Sequence, residues 1–106
     1  MAVQGVDQEG FESVYRRHVD NVVAGNMRDV LADMAPGSVP SVFEGVRTPQ
    51  GPVRSADVLA ARVDGQRAVG EAVYRLEDEV VGLRSGWVYD GSRWVADQLE
   101  NFDAEA

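Results

Sequence analysis

The stretch FESVYRRHVDNVVAGNMRDVLADM, residues 11–34, decides the fold, because two apolar stripes of helical period meet in it at Gly25-Asn26. Upstream, Phe11, Val14, Tyr15, Val19, Val22 and Val23 recur at the spacing of one helical face; downstream, Met27, Val30, Leu31 and Met34 do the same. Gly25 suits a left-handed helix stop, Asn26 suits the cap of a second helix, and Asp29 stands three residues on to answer it. The spacing predicts a helix over Gln8–Ala24, capped by Asp7, and another over Met27–Met34, stopped by Ala35-Pro36-Gly37.

After the helices the pattern becomes strand-like. Ser38 to Val46 reads as extended but mixed, with Pro40 confining its early part to an edge or a strand start. Arg47 to Pro52 holds two prolines and a glycine and is a loop. Val53 to Val63 reads two ways: Ala56, Leu59, Ala60 and Val63 have helical spacing, yet the segment runs straight into Asp64-Gly65, a hairpin signal that recurs in a similar context at Asp90-Gly91. The strand reading gives strands at about Val53–Val63, Arg67–Glu77, Val80–Tyr89 and Arg93–Phe102, with Asp78-Glu79 reversing the chain. With Asp90-Gly91 as a two-residue loop, Tyr89 pairs with Ser92 and Trp87 stands opposite Trp94, a cross-strand aromatic pair that pins the hairpin. Leu99, Val95 and Val88 alternate with the tryptophans and supply an apolar outer face.

Composition bounds what such a domain does. The 106 residues make one domain, with residues 1–6 and 103–106 expected to fray. Eighteen acidic against 10 basic residues give a formal charge of −8, which repels phosphate backbones and anionic headgroups, so neither nucleic acid nor membrane is an expected partner. There is no cysteine, so disulfides and thiolate sites are excluded and a reducing compartment is the natural reading. No stretch has a leader's pattern or the roughly 20 apolar residues that span a bilayer, and a cytoplasmic protein is expected. Every basic residue except His18 is Arg, and Lys and Ile are absent, a bias of a G+C-rich genome rather than of a function.

Two helices joined by an Ala-Gly-Asn turn, a Pro-Gly stop, and a meander ending in an Asp-Gly hairpin and a Trp strand resemble the nuclear transport factor 2-like superfamily, which includes ketosteroid isomerase and polyketide cyclases of the SnoaL type. The resemblance covers nearly the whole chain, and its signals specify a fold far better than an activity. It implies an α+β fold, two N-terminal helices packed in a strongly curved antiparallel sheet that forms a cone around an apolar pocket. It also implies a homodimer associating through the sheet. The family's middle helix has little room between Val46 and Asp64 and is expected to be reduced or absent. The isomerases' catalytic tyrosine position falls on His18, their general-base position near Val42, and their protonated-aspartate position near Ser85, so none of the three family residues is present. Val42 cannot accept a proton, and Glu44 is the nearest carboxylate.

The candidate ligand-binding residues are therefore Tyr15, His18, Val42, Ser85, Trp87 and Trp94, with His18 the weak candidate for catalysis. A lone histidine on an apolar stripe, with no carboxylate partner evident, is more often satisfied structurally than catalytic. The aromatic side chains, with Tyr89, serve equally as core or as pocket walls. Glu77-Asp78-Glu79 lacks the alternating oxygen ligands of a calcium loop and reads as a solvated turn. No nucleotide, hydrolase or metalloprotease motif occurs, and no metal or cofactor is expected. Three functions compete: a binder of a small apolar molecule, an isomerase- or cyclase-like enzyme using His18, and a protein-interaction or dimerisation module. An open cavity reaching His18 and a carboxylate together separates the second from the first, and cavity volume separates the first from the third.

Overall fold

The computed structural model describes residues 8–39, 41–49 and 51–102, so the expected frayed ends and the Asp7 cap lie outside the described residues. Helix α1 (Gln8–Ala24) is followed by a short helix α2 (Met27–Ala32), a 3-10 turn (Ser41–Phe43) and strands β1 (Ser55–Asp64), β2 (Arg67–Arg75), β3 (Val80–Tyr89) and β4 (Trp94–Phe102). The strands form one antiparallel sheet in chain order, making an α+β fold with the helices packed on one face. No helix among the described residues is long and apolar enough to cross a membrane.

Helix α1 has the expected bounds and buries Phe11, Tyr15, Val19 and Val22. At its end Gly25 takes a φ of 78°, the Asn26 amide donates to the Asn21 carbonyl at 2.9 Å and the Gly25 amide to Val22 at 3.1 Å. These are the paired bonds of a Schellman stop. The expected Asn26 side-chain cap does not form. Leaving the stop, Asn26 has φ −82° and ψ 71°, outside the extended geometry from which a cap side chain reaches forward; its carbonyl accepts the Asp29 and Val30 amides while Nδ2 donates back to Asn21 Oδ1 at 3.3 Å.

Helix α2 also stops short of the expected Met34. Asp33 and Ala35 instead bond to β4: the Ala96 amide donates to the Asp33 carbonyl at 2.8 Å, and the Ala35 amide to the Ala96 carbonyl at 2.7 Å. The following segment is not extended. Ser38 Oγ donates to the Ala35 carbonyl, the Val42 amide to Ser38 and the Glu44 amide to Ser41, so local bonds take the groups that a strand would have offered to a neighbour. Val42 and Glu44 therefore do not sit on a strand, and no α-helix lies between Val46 and β1 among the described residues.

Segment 53–63 resolves as β1, with Leu59 left 57% exposed where a register shift between Val58 and Ala60 breaks the ladder. Both Asp-Gly hairpins turn one residue later than expected. Asp64 pairs with Arg67, and the Asp90 amide donates to the Arg93 carbonyl, so the loops are Gly65-Gln66 and Gly91-Ser92. Only the glycines have positive φ, the sign pattern of a II′ turn; an Asp-Gly loop of type I′ would demand it of the aspartate too. Asp90 is held at the strand end because its Oδ1 accepts the Ser92 and Arg93 amides at 2.9 and 3.0 Å, bonds that also lower its pKa.

That one-residue displacement changes the cross-strand pairs. Tyr89 pairs with Trp94 rather than Ser92, and Trp87 with Ala96 rather than Trp94. The tryptophans still share the inner face, each edge-on to Phe11, at centroid distances of 5.7 and 5.2 Å. A bulge at Asp97 then turns Leu99 opposite Ser85, onto the inner face, so Leu99 does not contribute to the outer one. The outer face carries ion pairs instead: Arg84 bonds Glu71 at 2.6 Å and Glu100 at 2.7 Å, while Arg67 on β2 crosses β3 to reach Asp97 on β4 at 2.8 Å.

On the inner face the Tyr15 ring rests on the backbone of Gly70, where an added Cβ would stand 2.5 Å from two ring carbons. Gly70→Ala should cost about 1–3 kcal/mol by overpacking. Urea unfolding checks this: the midpoint falls with an unchanged slope, and an unchanged midpoint would mean that the ring does not bear on Gly70.

Candidate functional site

Between the helices and the inner face of the sheet lies a cavity of about 670 Å3. Its walls are largely apolar: Val22 from α1, Val30 from α2, Met34 beyond it, Phe43 from the 3-10 turn, and Leu83 and Leu99 from β3 and β4. Leu99 faces it only because of the Asp97 bulge. Among the described residues, four with polar side chains also line it, His18, Thr48, Tyr74 and Ser85, and no Arg does.

His18 has a carboxylate partner that its sequence context did not reveal. Its Nδ1 lies 2.8 Å from Asp33 Oδ2, with both side chains largely buried. A carboxylate accepts, so Nδ1 is the donor of this bond, and Nε2 is left outside it. The ring is further fixed by stacking on Tyr15 at 6.3 Å and by an edge-on Trp87 at 5.1 Å. The backbone bond from Ala96 to Asp33 anchors the carboxylate's own residue. His18 and Asp33 stand 15 residues apart, at nearly equal distances on either side of Gly25, and a helical hairpin brings such positions together. That symmetry was the available signal.

Behind the cavity, Tyr15, Ser85 and Trp87 form a closed polar chain: Trp87 Nε1 donates to Ser85 Oγ at 2.8 Å, and Ser85 shares a hydrogen bond with the Tyr15 hydroxyl. Burial, reinforced by neighbouring Tyr74, raises the Tyr15 pKa, and burial alone raises that of Tyr74. Of the six residues expected to bind a ligand, His18 and Ser85 line the cavity, Tyr15 and Trp87 buttress them, and Val42 and Trp94 pack in the surrounding core without lining it. Buried Trp94 Nε1 has no acceptor among the described residues. Tyr74 went unnoticed although its place in the alternation Ala68, Gly70, Ala72, Tyr74 puts it on the inner face.

The turn acids are solvated as expected at Glu77 and Asp78, while Glu79 lies 3.5 Å from Arg47. Among the described residues no group of three or more His, Cys, Asp or Glu is placed to hold a metal ion. No protein-family model, curated protein or solved structure matches the chain.

Neutral buried tyrosines make stability pH-dependent. Both pKa values are raised in the folded chain above the ordinary 10.0, so their contribution is fully present below about pH 10 and is lost as the pH climbs beyond it, where only the unfolded chain ionises. Urea midpoints measured from about pH 9 to 11 should fall, and the fall should be smaller in Tyr15→Phe.

Proposed function

We propose that this chain binds a small apolar molecule in the cavity between its helices and sheet, with the cone architecture of the nuclear transport factor 2-like superfamily. The observation that carries the reading is the cavity itself. Its volume of about 670 Å3 lies within the range of roughly 300–1,000 Å3 typical of ligand pockets, and a few polar groups interrupt apolar walls. The order of elements, two helices and then a four-stranded meander, supports the family reading, and the absence of a strand at Val42 and of a middle helix departs from it.

A second reading, an isomerase- or cyclase-like enzyme, draws support from the His18–Asp33 pair. A histidine lining a cavity, its Nδ1 held by a carboxylate and its Nε2 free of that bond, has the arrangement of a general base. Within that reading Asp33→Asn lowers kcat by disturbing the imidazole's tautomer while leaving binding nearly unchanged.

Self-association through the outer face of the sheet belongs to the same proposal. Partly exposed Val69, Val88 and Phe102 lie there among Arg–carboxylate pairs. Light scattering at micromolar concentration should give a dimer; a monomer there removes the dimer from the proposal.

The cavity reading is tested with N-phenyl-1-naphthylamine, a neutral apolar dye that brightens away from water. Saturable brightening with one dye per chain is expected, abolished by Leu83→Trp, which fills the cavity. No saturable signal in the wild type, or one indifferent to Leu83→Trp, would refute it.

A further inference from the structure

Tyr74 is 98% buried by its 2% exposure, lines the cavity, and has no hydrogen-bond partner for its hydroxyl among the described residues. Polar groups beside it have partners: Trp87 and Tyr15 both bond Ser85, and His18 bonds Asp33 through Nδ1. The Tyr74 oxygen is also absent from the fully enclosed unpaired atoms, among which Trp94 Nε1 stands, so it retains some accessible surface. A buried hydroxyl without a partner is costly, so in a native fold such a group is met by ordered water or by a bound ligand.

The charges around the cavity restrict what such a ligand is. Among the described residues no Arg lines it, the chain carries a net −8, and the Asp33 carboxylate stands against His18 at its wall. No Arg side chain there offsets a second anion. We propose that the Tyr74 hydroxyl is the cavity's hydrogen-bond donor to its ligand, and that the ligand is an apolar molecule carrying a neutral oxygen acceptor, such as a ketone, aldehyde or ester carbonyl, in preference to a carboxylate. The assignment rests on the reading of the cavity as a ligand site. Burial disfavours its phenolate, so at neutral pH Tyr74 offers a hydroxyl proton.

Three matched probes test it: 2-acetylnaphthalene with a neutral carbonyl, 2-ethylnaphthalene without an acceptor, and 2-naphthoate as the anion. Each is titrated into the wild type and Tyr74→Phe, competing with N-phenyl-1-naphthylamine. The wild type should prefer the ketone to the hydrocarbon and both to the anion. Tyr74→Phe should weaken the ketone about three- to tenfold, as expected for one neutral hydrogen bond, and leave the hydrocarbon unchanged. A thermal melt gives a second readout: Tyr74→Phe without ligand should melt no lower than the wild type, since it removes an unpaired hydroxyl, whereas Tyr15→Phe should melt lower. Equal affinity for ketone and hydrocarbon in the wild type, an equal loss of both in Tyr74→Phe, or tightest binding of the anion overturns the assignment while leaving the cavity reading intact. Binding of none of the three by the wild type overturns both.

Discussion

Two backbone hydrogen bonds between the end of α2 and Ala96 hold the helical hairpin over the sheet, and the rest of the inner architecture depends on them. They end α2 at Ala32 and draw Met34 beside β4. They also fix Asp33 where its carboxylate meets His18 from the other helix. Because α2 has only six residues, its own hydrogen bonding contributes little, and its position comes from this attachment and from buried Val30. The cavity is the space left beneath a short helix tied down at one end and separated from α1 by the Gly25 stop.

Inside, packing and polar satisfaction are tightly joined along α1. Tyr15 lies on Gly70, its ring stacks with Phe11 and with His18, and its hydroxyl meets Ser85, which also accepts from Trp87. One side chain thus fixes the distance of α1 from the sheet and satisfies the polar atoms of the strand beneath it. Tyr74, four residues along β2 from Gly70, is the contrast, an equally buried phenol whose hydroxyl has no hydrogen-bond partner among the described residues. The two phenols thus differ in role: one joins the helix to the sheet through Ser85, and the other lines the cavity.

The outer face follows a different rule. Glu71, Arg84 and Glu100 stand directly abreast on β2, β3 and β4, and Arg67, opposite Val88, reaches Asp97. An antiparallel sheet with helices on one side can face water on the other, and these pairs equip it to do so. Exposed pairs of this kind add little stability each, so their value lies in keeping the face polar and in register.

The sequence by itself determined the elements. Apolar spacing set α1 to the residue, Gly25 set its stop, and glycine-containing turns separated strands whose bounds fall within a few residues of those expected, because helix period, left-handed φ and hairpin turns are local properties. What depended on contacts between distant residues was decided only by the tertiary structure. Whether the turn is Asp90-Gly91 or Gly91-Ser92 rests on where the Asp90 carboxylate bonds, and that one residue re-pairs both tryptophans. The bulge at Asp97 exchanged Leu99 between faces, since side chains alternate and one extra residue inverts all that follow. Ser38 to Val46 abandoned extension for local bonds, carrying Val42 away from a strand position. The His18–Asp33 pair and the orphaned hydroxyl of Tyr74 were the least legible of all, because a residue's partner, or its lack of one, is a property of the packed chain and not of its neighbours in sequence.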